Sequence, residues 1–253
     1  MEVKKISRNQ NARSYIESLA AAGRYHLTTG QLRDAVGVSD AVARQMLSRL
    51  IRQKLVATPA RGFYVIVPPE YRSLGCLPAD QFIPALMAQL GLPYYVGLLS
   101  AAQYYGAAHQ RPQEFQVFLE RNRSPIKCGA VRVAFIARKR LAEVPTRGFN
   151  TPRGTIAVST PEATALDLAG YPGHAGGLDQ AATVLAELAE HIDPDLLAQV
   201  AATAPVPWAQ RLGYLLGIGG AGDKTEALKA YVAENARNYV LLSPGTNKNG
   251  AAR

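Results

Sequence analysis

TTGQLRDAVGVSDAVARQMLSRLIRQKL, residues 28–55, decides how the N-terminal part of this chain folds. It predicts two helices joined by a tight turn. Thr28 followed by Gln31 is a capping-box start, in which the hydroxyl and the amide satisfy each other's free backbone N–H groups. Leu32, Ala35 and Val36 form one apolar stripe, and Gly37 supplies the left-handed residue that ends the helix. Ser39 caps a second helix, from Asp40 to about Gln53, and Asp40 puts a negative charge where the helix dipole favours one. Ala43, Leu47, Leu50 and Ile51 follow the i, i+4, i+7, i+8 rule and are expected inside. Ala41, Arg44, Gln45, Ser48 and Arg52 lie opposite, on a cationic, amide-bearing face without carboxylates beyond Asp40. Helix, turn and such a helix make the helix-turn-helix pattern, whose second helix enters the major groove of DNA. The competing reading is a solvated amphipathic helix.

The next dozen residues weigh against that alternative. Leu55-Val56-Ala57 is a short apolar run, Pro59-Ala60-Arg61-Gly62 reads as a turn, and Phe63-Tyr64-Val65-Ile66-Val67 is β-branched and aromatic. Two strands around a loop bearing Arg61, directly after a recognition helix, make a winged helix-turn-helix. Upstream, Asn9 to Ala22 carries Ala12, Tyr15, Ile16, Leu19 and Ala20 on one stripe and supplies a third core helix. Lys4, Lys5 and Arg8 precede it as a basic arm, either phosphate-contacting or simply a solvated terminus.

Pro68-Pro69 ends the last wing strand, and a domain boundary is expected between Pro68 and Leu77. Helices come next over Asp80–Gly91, interrupted early by Pro84, and over Gly97–Gly106. The period then changes. Phe115–Leu119, Val131–Ile136 and Gly154–Ser159 read as strands, with Pro125 and Gly129 in the turn between the first two and a further extended piece between Val144 and Phe149. Thr160-Pro161-Glu162 opens a helix with a hydroxyl cap, a proline at the first position and an acid at the second. Leu178–His191, Asp193–Ala204, Pro207–Leu216 and Asp223–Ala236 are helical, Tyr239–Leu242 could add an edge strand, and the tail from Ser243 reads as disordered. The fold class is therefore α+β. A winged helix-turn-helix domain (1–75) is joined to a mixed α/β domain ending in a helical bundle (76–242), with a tail over 243–253.

A chain of 253 residues at 48 % apolar content suits two globular domains. No run of 18 apolar residues occurs, so no membrane span is expected, and MEVKKISRNQ lacks the apolar core of a signal peptide, which points to the cytoplasm. Cys76 and Cys128 have no partner motif and read as reduced structural thiols. His26, His109, His174 and His191 lack ligand spacing, so no metal or cofactor is expected. The net charge of +9 is uneven: residues 1–75 hold 12 Lys/Arg against 5 Asp/Glu and residues 111–153 hold 10 against 3, whereas 154–253 is acidic. Such a field suits a polyanion partner. Within the second basic segment, Arg111, Arg121, Arg123, Lys127, Arg132, Arg138, Lys139, Arg140, Arg147 and Arg153 read equally well as a phosphate-contacting face or as a charged, solvated sheet edge.

The apparent catalytic constellations have plainer explanations. Gly217-Ile218-Gly219-Gly220-Ala221-Gly222 resembles a nucleotide-binding glycine loop but comes after a helix instead of a strand, so it reads as a helix-to-helix joint. Asp193 and Asp195 sit at a helix start and are explained as cap and dipole partner. Glu162 and Asp167 diverge by roughly 140° on one helix and read as surface and helix-end residues, not a paired nuclease site. No Ser-His-Asp or Cys-His arrangement can be argued, so no enzyme is expected.

LTTGQLRDAVGVSDAVARQMLSRLIRQKLV with its wing (27–67), YYVGLLSAAQYYG (94–106) and RGFNTPRGTIAVSTPEATALDLAG (147–170) together give the chain a resemblance to the AbiEi-type antitoxins of abortive-infection toxin–antitoxin systems. The resemblance covers nearly the whole chain. It implies a bacterial winged-helix regulator that represses its operon through inverted repeats and an antitoxin domain opposing a nucleotidyltransferase-like toxin. The family's DNA-reading roles carry over onto Ser39, Ala41, Arg44, Gln45, Ser48 and Arg61. Asp40 is unusual in a DNA-facing slot, and either reads a cytosine N4 donor or supports the helix dipole.

The expected DNA-binding set is thus Ser39, Ala41, Arg44, Gln45, Ser48, Arg49, Arg52 and Arg61. Arg44 and Gln45 are assigned to base edges, and Arg49, Arg52 and Arg61 to phosphates. The expected partners are double-stranded operator DNA and the cognate toxin. Two other classes stay open: a DNA-targeted nuclease or nucleotidyl-transfer enzyme with its site in residues 76–253, and a ligand-sensing transcription factor.

Overall fold

The chain folds into a mixed α+β structure with two sheets, seen in a computed structural model that describes residues 8–108 and 112–242. Lys4, Lys5, Arg111 and the tail from Ser243 lie outside the described residues. Three helices, α1 (Arg8–Ala21), α2 (Thr29–Val36) and α3 (Asp40–Arg52), surround a small core with a three-stranded sheet. The capping box forms at α2: the Gln31 N–H donates to Thr28 Oγ1 at 3.2 Å and the Thr28 N–H to Gln31 Oε1 at 2.9 Å. Gly37 takes φ +68° at its end, and Ser39 caps α3 by accepting from the Val42 N–H.

The small sheet has one strand more than the sequence suggested. β1 (His26–Thr28), β2 (Val56–Ala60) and β3 (Phe63–Ile66) pair antiparallel in the order β1-β3-β2. The β2–β3 turn is the pair Arg61-Gly62, with Gly62 at φ +75°; Pro59 and Ala60 belong to β2, whose register shifts between Ala57 and Ala60. Alternation along these strands divides them between two cores. Val56 and Ile66 join Leu47 and Leu50 under the helices, whereas Ala57, Phe63, Val65 and Val67 join Phe82, Leu86, Val117 and Val133 from beyond residue 75. A sheet buried on both faces explains why Phe63–Val67 reads as a continuous apolar run.

A six-stranded mixed sheet organises the rest, in the order β6-β7-β5-β4-β9-β8. Its members are β4 (Tyr95–Val96), β5 (Phe115–Leu119), β6 (Ile126–Cys128), β7 (Val131–Ala137), β8 (Thr146–Thr151) and β9 (Gly154–Ser159). β5 runs parallel to β7, and β4 parallel to β9. The expected turn around Pro125–Gly129 instead contains β6, which forms a hairpin with β7. Its tight corner needs a glycine: Gly129 has φ +58°, and a Cβ there would fall 2.0 Å from the Leu74 carbonyl oxygen.

α4 (Ala79–Leu90) continues through Pro84 and buries Phe82, Ile83, Leu86 and Met87. Next come α5 (Leu98–Ala102) and α6 (Pro161–Gly170). The helical layer is completed by α7 (Leu178–Leu188), α8 (Pro194–Ala201), α9 (Val206–Ile218) and α10 (Glu226–Asn235). α6 is buried from Pro161 through Ala169, enclosed by the other helices of the main apolar cluster. Tyr239–Leu242 form no strand; the segment lies along α9, where Gln210 Nε2 donates to the Asn238 carbonyl at 3.0 Å. No helix among the described residues is long and apolar enough to cross a membrane.

Candidate nucleic-acid interface

The outer face of α3 carries Ala41, Arg44, Gln45, Ser48 and Arg52, all exposed, with Ser39 exposed at its N-cap. The inner face holds Ala43, Met46, Leu47 and Leu50. Ile51 is not the inward residue its spacing suggested: it is 38 % exposed, and Met46 takes the buried place. The core under α3 is narrow, so a stripe through 43, 46, 47 and 50 fills it and position 51 falls on the rim.

Asp40 has a local partner. Its Oδ1 lies 3.2 Å from Arg33 Nη1, and Arg33 Nε also reaches Asp34 at 2.8 Å. The guanidinium ties the end of α2 to the start of α3, and its hydrogen bond holds the Asp34 carboxyl below its ordinary range. Arg49 is half-buried and engaged within the protein. Arg61 stands exposed in the β2–β3 turn, on the hairpin that leaves the C-terminal end of α3.

The basic segment divides into fates that sequence could not distinguish. Arg138 is buried against Asp167, Arg140 pairs with Glu143, and Arg132 Nη1 donates to the Gly129 carbonyl at 2.7 Å. Arg123 lies over Phe135, 5.8 Å from the ring centre. Arg153 covers the Tyr25 ring at 3.2 Å and lies 3.9 Å from Glu70, bridging the β8–β9 turn to the N-terminal unit. Arg121, Lys127, Lys139 and Arg147 are exposed.

Glu162 and Asp167 are not surface residues: their relative exposures are 1 % and 0 %. Asp167 pairs with Arg138 and accepts from the Tyr95 hydroxyl at 3.0 Å, while Glu162 Oε1 accepts the Asp193 N–H at 3.1 Å. Burial pushes the Tyr95 hydroxyl well above its ordinary pKa, so it donates to Asp167 at any physiological pH. At the C-terminal end of α6, Arg211 Nη1 donates to the Ala169 carbonyl at 2.5 Å, a cation where the dipole favours one. Sequence reasoning put Arg138 with the phosphate-contacting or solvated residues of the basic segment, whereas it is 2 % exposed and paired with Asp167, and it passed over Tyr95 and Arg211. The only signal was an arginine ending an apolar strand, and its partner arrives 29 residues later.

Cys76 and Cys128 are free, buried and side by side; hydrogen bonding to Cys128, together with burial, pushes the Cys76 thiol up. Asp193 caps α8, its Oδ1 accepting from the N–H groups of Asp195 and Leu196. Among the described residues, no group of three or more His, Cys, Asp and Glu side chains could hold a metal ion.

Residues 95–218 match the family model of the AbiEi antitoxin C-terminal domain. The matched span runs from β4 through α9 and so contains both the buried Arg138–Asp167 pair and all of α6. Among solved structures, the fold is similar to that of the RV2827C protein from Mycobacterium tuberculosis, with a TM-score of 0.65, 20 % sequence identity, and coverage of 87 % of this chain and 80 % of that one. No curated protein matches the chain.

Proposed function

Since this chain belongs to the AbiEi-type antitoxin family through residues 95–218, we propose that it is the antitoxin of a toxin–antitoxin pair and a DNA-binding autorepressor of the operon encoding both. The observation that carries the DNA part is the outer face of α3, where Arg44, Gln45, Ser48 and Arg52 stand exposed together on a capped helix whose own one acid, Asp40, is paired with Arg33. In this reading residues 28–67 act as a winged helix-turn-helix. Arg44 and Gln45 reach guanine and adenine edges, Ser39, Ala41 and Ser48 approach the groove floor and walls, and Arg49, Arg52 and Arg61 contact phosphates. The operator is an inverted repeat, and the opposed toxin is nucleotidyltransferase-like.

Glu162 and Asp167 support this reading over a nuclease, because both carboxylates are enclosed and already partnered. The test has two arms. Fluorescence anisotropy of the full chain on the duplex upstream of its own coding region should show tighter binding than on a scrambled duplex, with affinity falling steeply as salt rises. Co-expression with the adjacent toxin gene should restore growth. Equal affinity for the two duplexes refutes the repressor role, and failure to restore growth refutes the antitoxin role.

A further inference from the structure

Outside the carboxyl ends of β5 and β7 lies a cavity of about 510 Å³ that the DNA reading does not use. The two strands are parallel neighbours, and the residues leaving them form one wall: Arg121 after β5, Arg138 and Lys139 after β7. Trp208 of α9 and Tyr171, just past α6, form the other. The space outside the carboxyl ends of parallel strands is where α/β sheets hold small ligands. The volume falls within the roughly 300–1,000 Å³ of small-molecule sites.

The aromatic wall is held in place. Trp208 lies against the backbone of Gly170, where a Cβ would fall 2.4 Å from the indole. Tyr171 meets it edge-on, with ring centres 4.8 Å apart, and the Arg138 guanidinium sits 5.3 Å from its ring centre. Arg138 is itself 2 % exposed, fixed by Asp167, with Nη2 3.5 Å from Oγ1 of Thr203, which also lines the cavity. Its charge is answered by Asp167, so the field at the mouth comes from Arg121 and Lys139 against Glu120, a net positive rim.

We propose that this cavity binds a small planar aromatic anion, whose ring packs against Trp208 and Tyr171 and whose phosphate or carboxylate meets Lys139 and Arg121. A rigid aromatic wall contributes contact area at little entropic cost, and charge-assisted hydrogen bonds at the rim fix the orientation. None of the residues lining the cavity lies on α3.

Trp208 is the chain's one tryptophan, so its emission reports on this cavity directly. The full chain is titrated with adenosine 5′-monophosphate and with benzoate, which carry the phosphate and the carboxylate respectively. Adenosine serves as the uncharged control and inorganic phosphate as the ringless one. A saturable change in emission with either aromatic anion is expected, and whichever acts identifies the anionic group. Both controls and the double variant Arg121→Ala/Lys139→Ala should bind at least about tenfold more weakly. Absence of a saturable change with both anions overturns the proposal, as does adenosine matching its monophosphate or undiminished affinity in the double variant.

Discussion

α3 and α6 treat charge in opposite ways. α3 turns Arg44 and Arg52 outward and spends its inner face on Ala43, Met46, Leu47 and Leu50. α6 has no outer face, and its carboxylates Glu162 and Asp167 are enclosed with partners from other elements. An exposed cation keeps its hydration and remains available to a phosphate or a base. A buried carboxylate has surrendered its hydration and depends on its partner. In the proposed function the two helices separate recognition from architecture, and substitutions in them should fail differently.

The largest effect is expected at α6. Asp167→Ala leaves the Arg138 charge buried without its counterion and should cost about 3–5 kcal/mol of folding stability, measured by urea denaturation. The double variant Arg138→Met/Asp167→Leu should recover much of that loss, because an apolar pair of similar volume removes the uncompensated charge. A double variant no better than the single one would contradict this. Gly170→Ala comes next. Its methyl collides with the Trp208 indole, so a loss of about 1–3 kcal/mol is expected together with a shifted tryptophan emission.

Substitution on the recognition side should leave folding alone. Arg61→Ala is expected to weaken all duplexes alike and to reduce the salt slope of binding by about 1, with folding stability unchanged to within about 0.5 kcal/mol. A sequence-selective loss would move Arg61 from phosphate to base contact. The smallest effect concerns His26, whose pKa is lowered by burial and then by Arg24. The unfolded chain takes up a proton near the ordinary imidazole value while the folded chain resists it. Stability should therefore fall as pH drops from about 6.5 toward the depressed folded pKa, and level off below it. Melting temperatures measured across this window should show a shallower slope in His26→Gln than in the parent chain.

The same contrast explains what sequence could and could not tell. The capping box, Gly37, Ser39 and the Arg61-Gly62 hairpin were legible because each is written within a few adjacent residues. Ile51 was misplaced because periodicity gives a direction, and only tertiary packing says how wide the core beneath it is. β1 and β6 were missed because three-residue strands carry too little alternation to register; their pairing with β3 and β7 is what makes them strands. For Asp167, helical spacing correctly separated it from Glu162 but could not show that Arg138 and Tyr95 come from elsewhere to enclose it. On α3, residue type and helical phase were enough to collect Arg44, Gln45, Ser48 and Arg52 on one exposed face.

The measurement that bears most directly on the repressor reading is the affinity of Arg44→Ala for the operator duplex and for a random duplex, taken at one salt concentration alongside the parent protein. A bidentate contact to a base edge predicts a loss of about 1–3 kcal/mol on the operator, relaxed preference at one base pair and nearly unchanged random-duplex binding. Equal losses on the two duplexes would contradict base readout by this face of α3.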